Sequence, residues 1–240
     1  MIVLIDMGNS RVKYCTSVQG KLTPINVVDN KEFTCRLFEN QFHKSSKVII
    51  ASVGDKHLTD ALFDWCKANN ISYQEISSEK QKNGVVNGYQ VPAQLGVDRW
   101  LGLLGAAANF ANKNVLIVDS GTATTIDFLG ADGQHHGGWI LSGINTLVTG
   151  IIANTSYVKA NSNEPVSLSF GANTSENVHN AAWAATVGAV NVGISQIQHQ
   201  GINLDEVVFT GGNALKLSSL INYQNKVIPE LVFHGLQSYI

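Results

Sequence analysis

The chain is poor in the residues that staple, anchor or mark a nucleic-acid binder. Among 240 residues there are three cysteines, Cys15, Cys35 and Cys66, widely spaced and without a CxxC pair. An odd, scattered set excludes a disulfide framework and a zinc site of ordinary spacing. The three are read as reduced thiols, and no Cys/His signature marks one as a nucleophile. Charge is also scarce: 16 Lys and Arg stand against 18 Asp and Glu, a net charge of −2. No basic block or stripe is present, which argues against a nucleic-acid partner. The apolar runs, such as Val48–Val53 and Val115–Val118, are too short to span a membrane. The chain opens directly on a strand without a basic segment or a cleavable apolar one, so a cytoplasmic protein is expected. A Walker loop, GxxxxGK[ST], is absent. With 44% hydrophobic residues the chain can still bury a substantial core.

Two segments echo each other across half the chain. Leu4–Ser10 reads Leu-Ile-Asp-Met-Gly-Asn-Ser, and Ile117–Ala123 reads Ile-Val-Asp-Ser-Gly-Thr-Ala. Each is an apolar run, hence a buried strand, that ends in Asp-x-Gly and short polar residues. The turn after such a strand offers a carboxylate, backbone N–H groups and hydroxyls, the equipment for a metal-bound phosphate. Two copies suggest a duplicated fold that grips one nucleotide between its halves.

The periodicity supports that organisation. Strands are expected at Ile2–Met7, Val12–Val18, Leu22–Val28, Lys47–Val53 and Ile71–Ile76, with a helix over Lys56–Asn69. Glu79–Leu95 reads as a loop, followed by a helix from Gly96 to about Ala111. Asn112-Lys113-Asn114 breaks the pattern and sets the expected boundary between lobes 1–112 and 113–240. Beyond it come strands at Val115–Ser120, Thr124–Leu129 and Gly137–Leu141, and a helix over Asn145–Val158. Lys159–Gly171 reads as a polar connection. A long Ala-rich helix spans Thr174–Gln198, with Gly188 and Gly193 as interruptions. A strand at Glu206–Thr210 closes on Gly211-Gly212, and a short helix and a final strand or two complete the chain. Strands first, then alternation with helices, gives a mixed sheet covered by helices in each half.

Three constellations carry chemistry. In Asp6-Met7-Gly8-Asn9-Ser10-Arg11-Val12-Lys13, Gly8 lets a phosphate approach, Asn9 and Ser10 can donate, and Lys13 adds positive charge. Asp6 can hold Mg²⁺ through water, because that ion dehydrates reluctantly. Asp119 and Thr122, Thr124 and Thr125 gather hard oxygen ligands at the second turn. Asp98 opens a helix, where the macrodipole favours an anion, and is the best candidate base. Arg99 beside it can hold an anionic group such as a carboxylate. Gly211-Gly212-Asn213 could seat an adenosine. His135-His136 reads as a solvated turn, Asp127 as a strand residue facing a neighbour or the cleft, and Trp100, Trp139 and Trp183 as core. The chemistry alone points to a kinase for a small, anionic alcohol.

Taken together these residues resemble the type III pantothenate kinases, within the superfamily of acetate and sugar kinases and actin. Asp6–Lys13 is similar to the family's D-x-G-N-[ST]-x-x-K. Gly88-Tyr89 through Trp100 is similar to its G-Y-x-x-P-x-x-L-G-x-D-R-W. Asp119–Asp127 is similar to its D-x-G-T-A-x-T-x-D. Ser142 stands where the family usually has Pro, and Asn213 where it often has Asp. The resemblance implies two lobes of actin-like, ribonuclease H-like fold, each a mixed sheet flanked by helices, with the active site in the cleft between them. It implies that Asp98 accepts the proton, and that Tyr89, Gly96, Val97, Asp98 and Arg99 line the pantothenate pocket. It implies that Asp6–Lys13 and Thr122 bind ATP, and that Asp119 binds K⁺ or NH₄⁺ in addition to Mg²⁺. Thr174 matches a position that contacts substrate across a homodimer interface. Two other readings are weighed against the kinase: a nucleotide-binding regulator of the same fold without turnover, and a kinase for another small acid or sugar.

Overall fold

The computed structural model describes residues 1–161 and 164–240; two positions of the Lys159–Gly171 connection therefore lie outside the described residues. The strands are β1 Ile2–Met7, β2 Arg11–Val18, β3 Lys21–Leu22, β4 Asn26–Asp29, β5 Lys47–Ser52, β6 Ser72–Ile76, β7 Gln81–Lys82, β8 Val85–Val86, β9 Val115–Ser120, β10 Ala123–Leu129, β11 His135–Ser142, β12 Glu206–Thr210 and β13 Asn225–Val227. The helices are α1 Cys35–Phe42, α2 Lys56–Ala68, α3 Val97–Asn109, α4 Ile144–Ala153, α5 Thr174–His199, α6 Ala214–Ser218 and α7 Leu231–Leu236. Among the described residues no helix is long and apolar enough to cross a membrane.

The chain forms two compact units, Met1–Asn109 with Glu230–Ile240, and Phe110–Pro229. In the first, the strand order is β3-β2-β1-β5-β6, with β4 also paired to β2. β1 runs antiparallel to β2 and parallel to β5, and β5 parallel to β6. In the second, the order is β11-β10-β9-β12-β13. β9 runs antiparallel to β10 and parallel to β12, and β12 parallel to β13. The two sheets therefore repeat one plan: a central first strand, two strands added by successive antiparallel pairings on one side, and two added by parallel pairings on the other. A parallel neighbour needs a crossover, and α2 supplies one between β5 and β6.

The cores follow from the strand patterns. Val3, Ile5, Met7, Val48 and Ile50 are fully buried, and they pack with Phe38 and Phe42 of α1 and Leu62 of α2. In the second unit Leu116, Val118, Val207 and Phe209 meet Trp183, Val187, Val190 and Ile194 of α5. α5 runs unbroken through Gly188 and Gly193 for 26 residues. Gly193 has a packing reason, since a Cβ there would lie within 3.4–3.7 Å of Leu116, Trp139 and Ile126.

Several expectations change. Leu22–Val28 is two short strands, because Pro24 between them has no N–H to give the ladder. The expected loop Glu79–Leu95 contains the hairpin β7–β8, turned by Asn83 and Gly84 at φ 49° and 82°. His135 is not solvated: it lies buried in β11, with Nε2 2.9 Å from Oδ1 of Asp127. Trp139 is 36% exposed rather than core.

The end of the chain departs most. Residues 230–240, expected with the second half, belong to the first unit and include a helix, α7. Two glycines permit the close contact that holds it there. A Cβ on Gly105 of α3 would sit 2.1 Å from the Leu231 carbonyl oxygen, and one on Gly235 of α7 would sit 2.1 Å from that of Leu101. The helices cross backbone against backbone, and the obstacle to a methyl group is a main chain that cannot swing aside. Gly105→Ala is therefore expected to cost about 1–3 kcal/mol, although Ala is the better helix former. A thermal melt showing no loss would refute the close-packing argument.

Candidate active site

The first unit builds its site at the end of β1. Asp6 pairs in register with Lys13 of β2, and the Lys13 ammonium lies 3.7 Å from Asp6 Oδ2. Burial pushes the Asp6 carboxyl above its ordinary range; Lys13 opposes the rise, and the charge of Asp98 adds to it. Asp6 and Asp98 therefore feel one another within this unit. The turn between the strands is pinned by Gly8 N–H donating to the Arg11 carbonyl at 3.0 Å. Met7 and Val12 bury their side chains in the core and face each other in register at the base of the turn, and the Met7 carbonyl accepts from the Val53 N–H at 3.0 Å. Arg11 is exposed, 3.7 Å from Asp29.

Asn30, which sequence reasoning missed, organises this turn. Its Nδ2 donates to the carbonyls of Gly8 and Asn9 at 3.3 and 3.0 Å. In a trans peptide the following N–H points opposite the carbonyl, and the described chain has no cis bond. Holding those two carbonyls toward Asn30 thus aims the N–H groups of Asn9 and Ser10 the other way, as an anion requires. Asn30 Oδ1 is buried with no hydrogen-bond partner, a cost of about 1–3 kcal/mol. Gly54, after β5, comes close to the same Gly8 carbonyl: a Cβ there would lie 2.6 Å from its oxygen.

Asp98 stands in the first turn of α3, as expected. Its Oδ1 accepts from the Arg99 N–H at 2.8 Å, and a Cβ at Gly96 would come within 2.6 Å of the same oxygen. Arg99 is buried, 6% exposed, and its Nη1 donates to the Tyr89 hydroxyl at 2.7 Å. The Tyr89 N–H is held by Asn87 Oδ1 at 3.0 Å. Tyr89, Gly96, Val97, Asp98 and Arg99 are thus gathered by one loop and one helix start, beside the Asp6 turn.

The second unit repeats the arrangement at the end of β9. Asp119 pairs with Thr125 of β10 and Thr210 of β12. Gly211, at φ 88°, packs its backbone on the Asp119 carboxylate; a Cβ would lie 2.3 Å from Oδ1. Gly143, before α4, donates its N–H to the Thr122 carbonyl at 3.1 Å, and Thr146 adds a hydroxyl at 2.8 Å. Ser142 precedes that turn as the last residue of β11. Asn213 donates its backbone N–H to the Ser120 carbonyl at 3.1 Å. Thr122 is exposed, and so is Thr174, the first residue of α5, whose cap Asn173 accepts from the Glu176 N–H at 3.0 Å. Among the described residues no three His, Cys, Asp or Glu side chains cluster as a metal cage. Single carboxylates at Asp6 and Asp119 fit ions held largely by water or phosphate oxygens.

Comparisons with known proteins point to one family. The type III pantothenate kinase family profile matches residues 2–196. A type III pantothenate kinase of Colwellia psychrerythraea is 44% identical over the whole of both chains. One from Pseudoalteromonas translucida is 35% identical over 98% of this chain and 94% of its own. Among solved structures, a protein of Campylobacter jejuni described as a Baf family transcriptional activator matches with TM-score 0.63 at 21% identity, covering 98% of this chain and 95% of its own. A Sinorhizobium meliloti protein described as a 2-dehydro-3-deoxygalactonokinase matches with TM-score 0.59 at 12% identity, covering 99% and 97%. These two establish the fold, that of the actin-like sugar kinases. With its paired Asp-x-Gly turns, its Asp98-Arg99 helix start and a profile match over most of its length, the chain belongs to the type III pantothenate kinase family.

Proposed function

We propose that the chain transfers the γ-phosphoryl group of ATP to the primary hydroxyl of pantothenate, giving 4′-phosphopantothenate, the first step of coenzyme A synthesis. Full-length family membership with Asp6, Asp98, Arg99 and Asp119 all present carries this reading. The loose transition state of phosphoryl transfer asks for positioning and charge neutralisation more than for covalent chemistry. Asp98 orients the acceptor hydroxyl and takes its proton late. Arg99 and Tyr89 hold the pantothenate carboxylate end, together with the backbone of Gly96 and Val97. The N–H groups of Asn9 and Ser10, with Lys13, take phosphate oxygens, and Thr122 takes them from the second turn.

Asp6 would hold Mg²⁺ through water, and Asp119 would hold K⁺ or NH₄⁺; both ions supply positive charge where negative charge gathers. The Asp119 carboxylate, fixed against the Gly211 backbone, supports the second assignment. The enzyme acts as a homodimer in the cytoplasm, with Thr174 reaching substrate in a second copy; its exposure at the start of α5 supports that role.

The purified chain is expected to form phosphopantothenate from ATP and pantothenate, detected by mass spectrometry, when Mg²⁺ and K⁺ are both supplied. Omitting K⁺ should reduce the product strongly. No product with either K⁺ or NH₄⁺ present would refute the assignment.

A further inference from the structure

We infer that Tyr239, just after α7, is a positioning residue for the acceptor pocket, tying the Tyr89 loop to the helix start that carries Asp98 and Arg99. The inference rests on the reading of Tyr89–Arg99 as that pocket. Tyr239 lies outside the family-profile match, which ends at residue 196.

The structure joins these parts in a hydrogen-bonded ring. Trp100, fully buried and next to Arg99, donates its indole N–H to the Tyr239 hydroxyl at 3.0 Å. That hydroxyl donates to Glu79 Oε1 at 2.6 Å. The Glu79 carbonyl accepts from Asn87 Nδ2 at 3.1 Å, and the same group reaches the Pro92 carbonyl at 3.2 Å. Asn87 Oδ1 then holds the Tyr89 N–H, and Arg99 Nη1 closes the ring on the Tyr89 hydroxyl. A single hydroxyl thus accepts from the helix and donates to the loop. Neither partner can replace the other, because an indole N–H only donates and a carboxylate only accepts.

The rest of Tyr239 is fixed independently. The Lys82 ammonium lies 4.2 Å from its ring centroid, and the Lys47 ammonium donates to its carbonyl at 3.3 Å. The Gly105–Gly235 crossing brings the chain end to this place. The half-buried ring, held from three sides, sets the hydroxyl where two groups 21 residues apart in sequence need a common partner. Within this 17-residue segment the paired strands β7 and β8, with Val85 buried, hold the middle, and the Tyr239–Glu79 bond ties down its first residue.

Tyr239→Phe keeps the ring and its contacts and removes only the hydroxyl. The KM for pantothenate is expected to rise about tenfold, with kcat changing less and the KM for ATP moving less than about twofold. Amide hydrogen exchange over residues 79–95 should accelerate, with the β1–β2 turn unaffected. Glu79→Ala should give the same phenotype. Glu79→Gln, whose carbonyl still accepts from the tyrosine, should recover most of what Glu79→Ala loses. The Tyr239→Phe/Glu79→Ala double variant should be no worse than either single one, since both break one link. Equal rises in both KM values, or unchanged exchange over 79–95 in Tyr239→Phe, would overturn the inference. If the wild-type chain makes no phosphopantothenate, the pantothenate assignment fails, and exchange still decides whether Tyr239 orders the segment.

Discussion

Asp98→Asn is expected to fold, to bind ATP and to turn over pantothenate about 10²–10⁴-fold more slowly, the usual loss for a positioned base. The substitution is close to isosteric. The amide oxygen of Asn can still accept the Arg99 N–H that Asp98 Oδ1 accepts at 2.8 Å, so the start of α3 keeps its geometry. What the amide cannot do is take a proton. The KM for pantothenate should change little, because Arg99 and Tyr89 remain. The effect then falls on kcat, the mark of an interaction made in the transition state.

A second readout separates this role from a general disturbance. The Asp98 charge helps to raise the Asp6 carboxyl above its ordinary range. Removing that charge should move the Asp6 titration toward lower pH, and any limb of the pH–rate profile that reports Asp6 should move with it. A variant that retains wild-type turnover removes Asp98 from the base role. A regulator without catalysis would show no turnover in the wild-type chain and no difference on substitution.

Much of this site is visible in the residues themselves. An apolar run ending in Asp-x-Gly fixes a strand, its end and a polar turn in one stroke, and it does so twice. The register of Asp6 with Lys13, and of Asp119 with Thr125, follows once the strands are antiparallel hairpins. Asp98 at a helix start is equally local, since the Gly-Val-Asp-Arg-Trp segment carries its own boundary.

The features that escape are those made by contacts distant in sequence. Asn30 acts on carbonyls about 21 residues away, and an Asn after a short strand reads as any turn residue. Gly105 looks like a weak point in an Ala-rich helix; its meaning appears only when Leu231 arrives from the end of the chain. The β7–β8 hairpin had a signal in Asn83-Gly84, but its strands of two residues are too short for alternation to register. His135 shows a third kind of failure. Gly, Asp and Gln around it suggest solvent, while the register of β11 on β10, with a bulge between Asp127 and Leu129, turns it inward onto a carboxylate.

Asp6→Asn should separate stability from activity, and the sign follows from linkage. The folded-state carboxyl of Asp6 lies above its unfolded value, about 3.9, chiefly through burial. Its contribution to stability is therefore fully present below the unfolded pKa and is lost as pH rises through the folded one. At neutral pH the wild-type chain carries a desolvated carboxylate that Lys13, at 3.7 Å, only partly compensates. The amide carries no such charge, so thermal melts should show the variant gaining on the wild type as pH rises from about 4 to about 8. Activity moves the other way. On the proposed assignment of Asp6 to hydrated Mg²⁺, kcat/KM for ATP should fall about 10²–10³-fold, as when one preorganised electrostatic partner is removed. The turn should survive, because the Asn30 bonds to the Gly8 and Asn9 carbonyls and the Gly8–Arg11 backbone bond do not involve the Asp6 side chain. A variant less stable than the wild type at the upper end of that range would mean that the Lys13 pair outweighs burial. A variant with unimpaired ATP turnover would remove Asp6 from the phosphate site, and the acid would then be a structural partner of Lys13 alone.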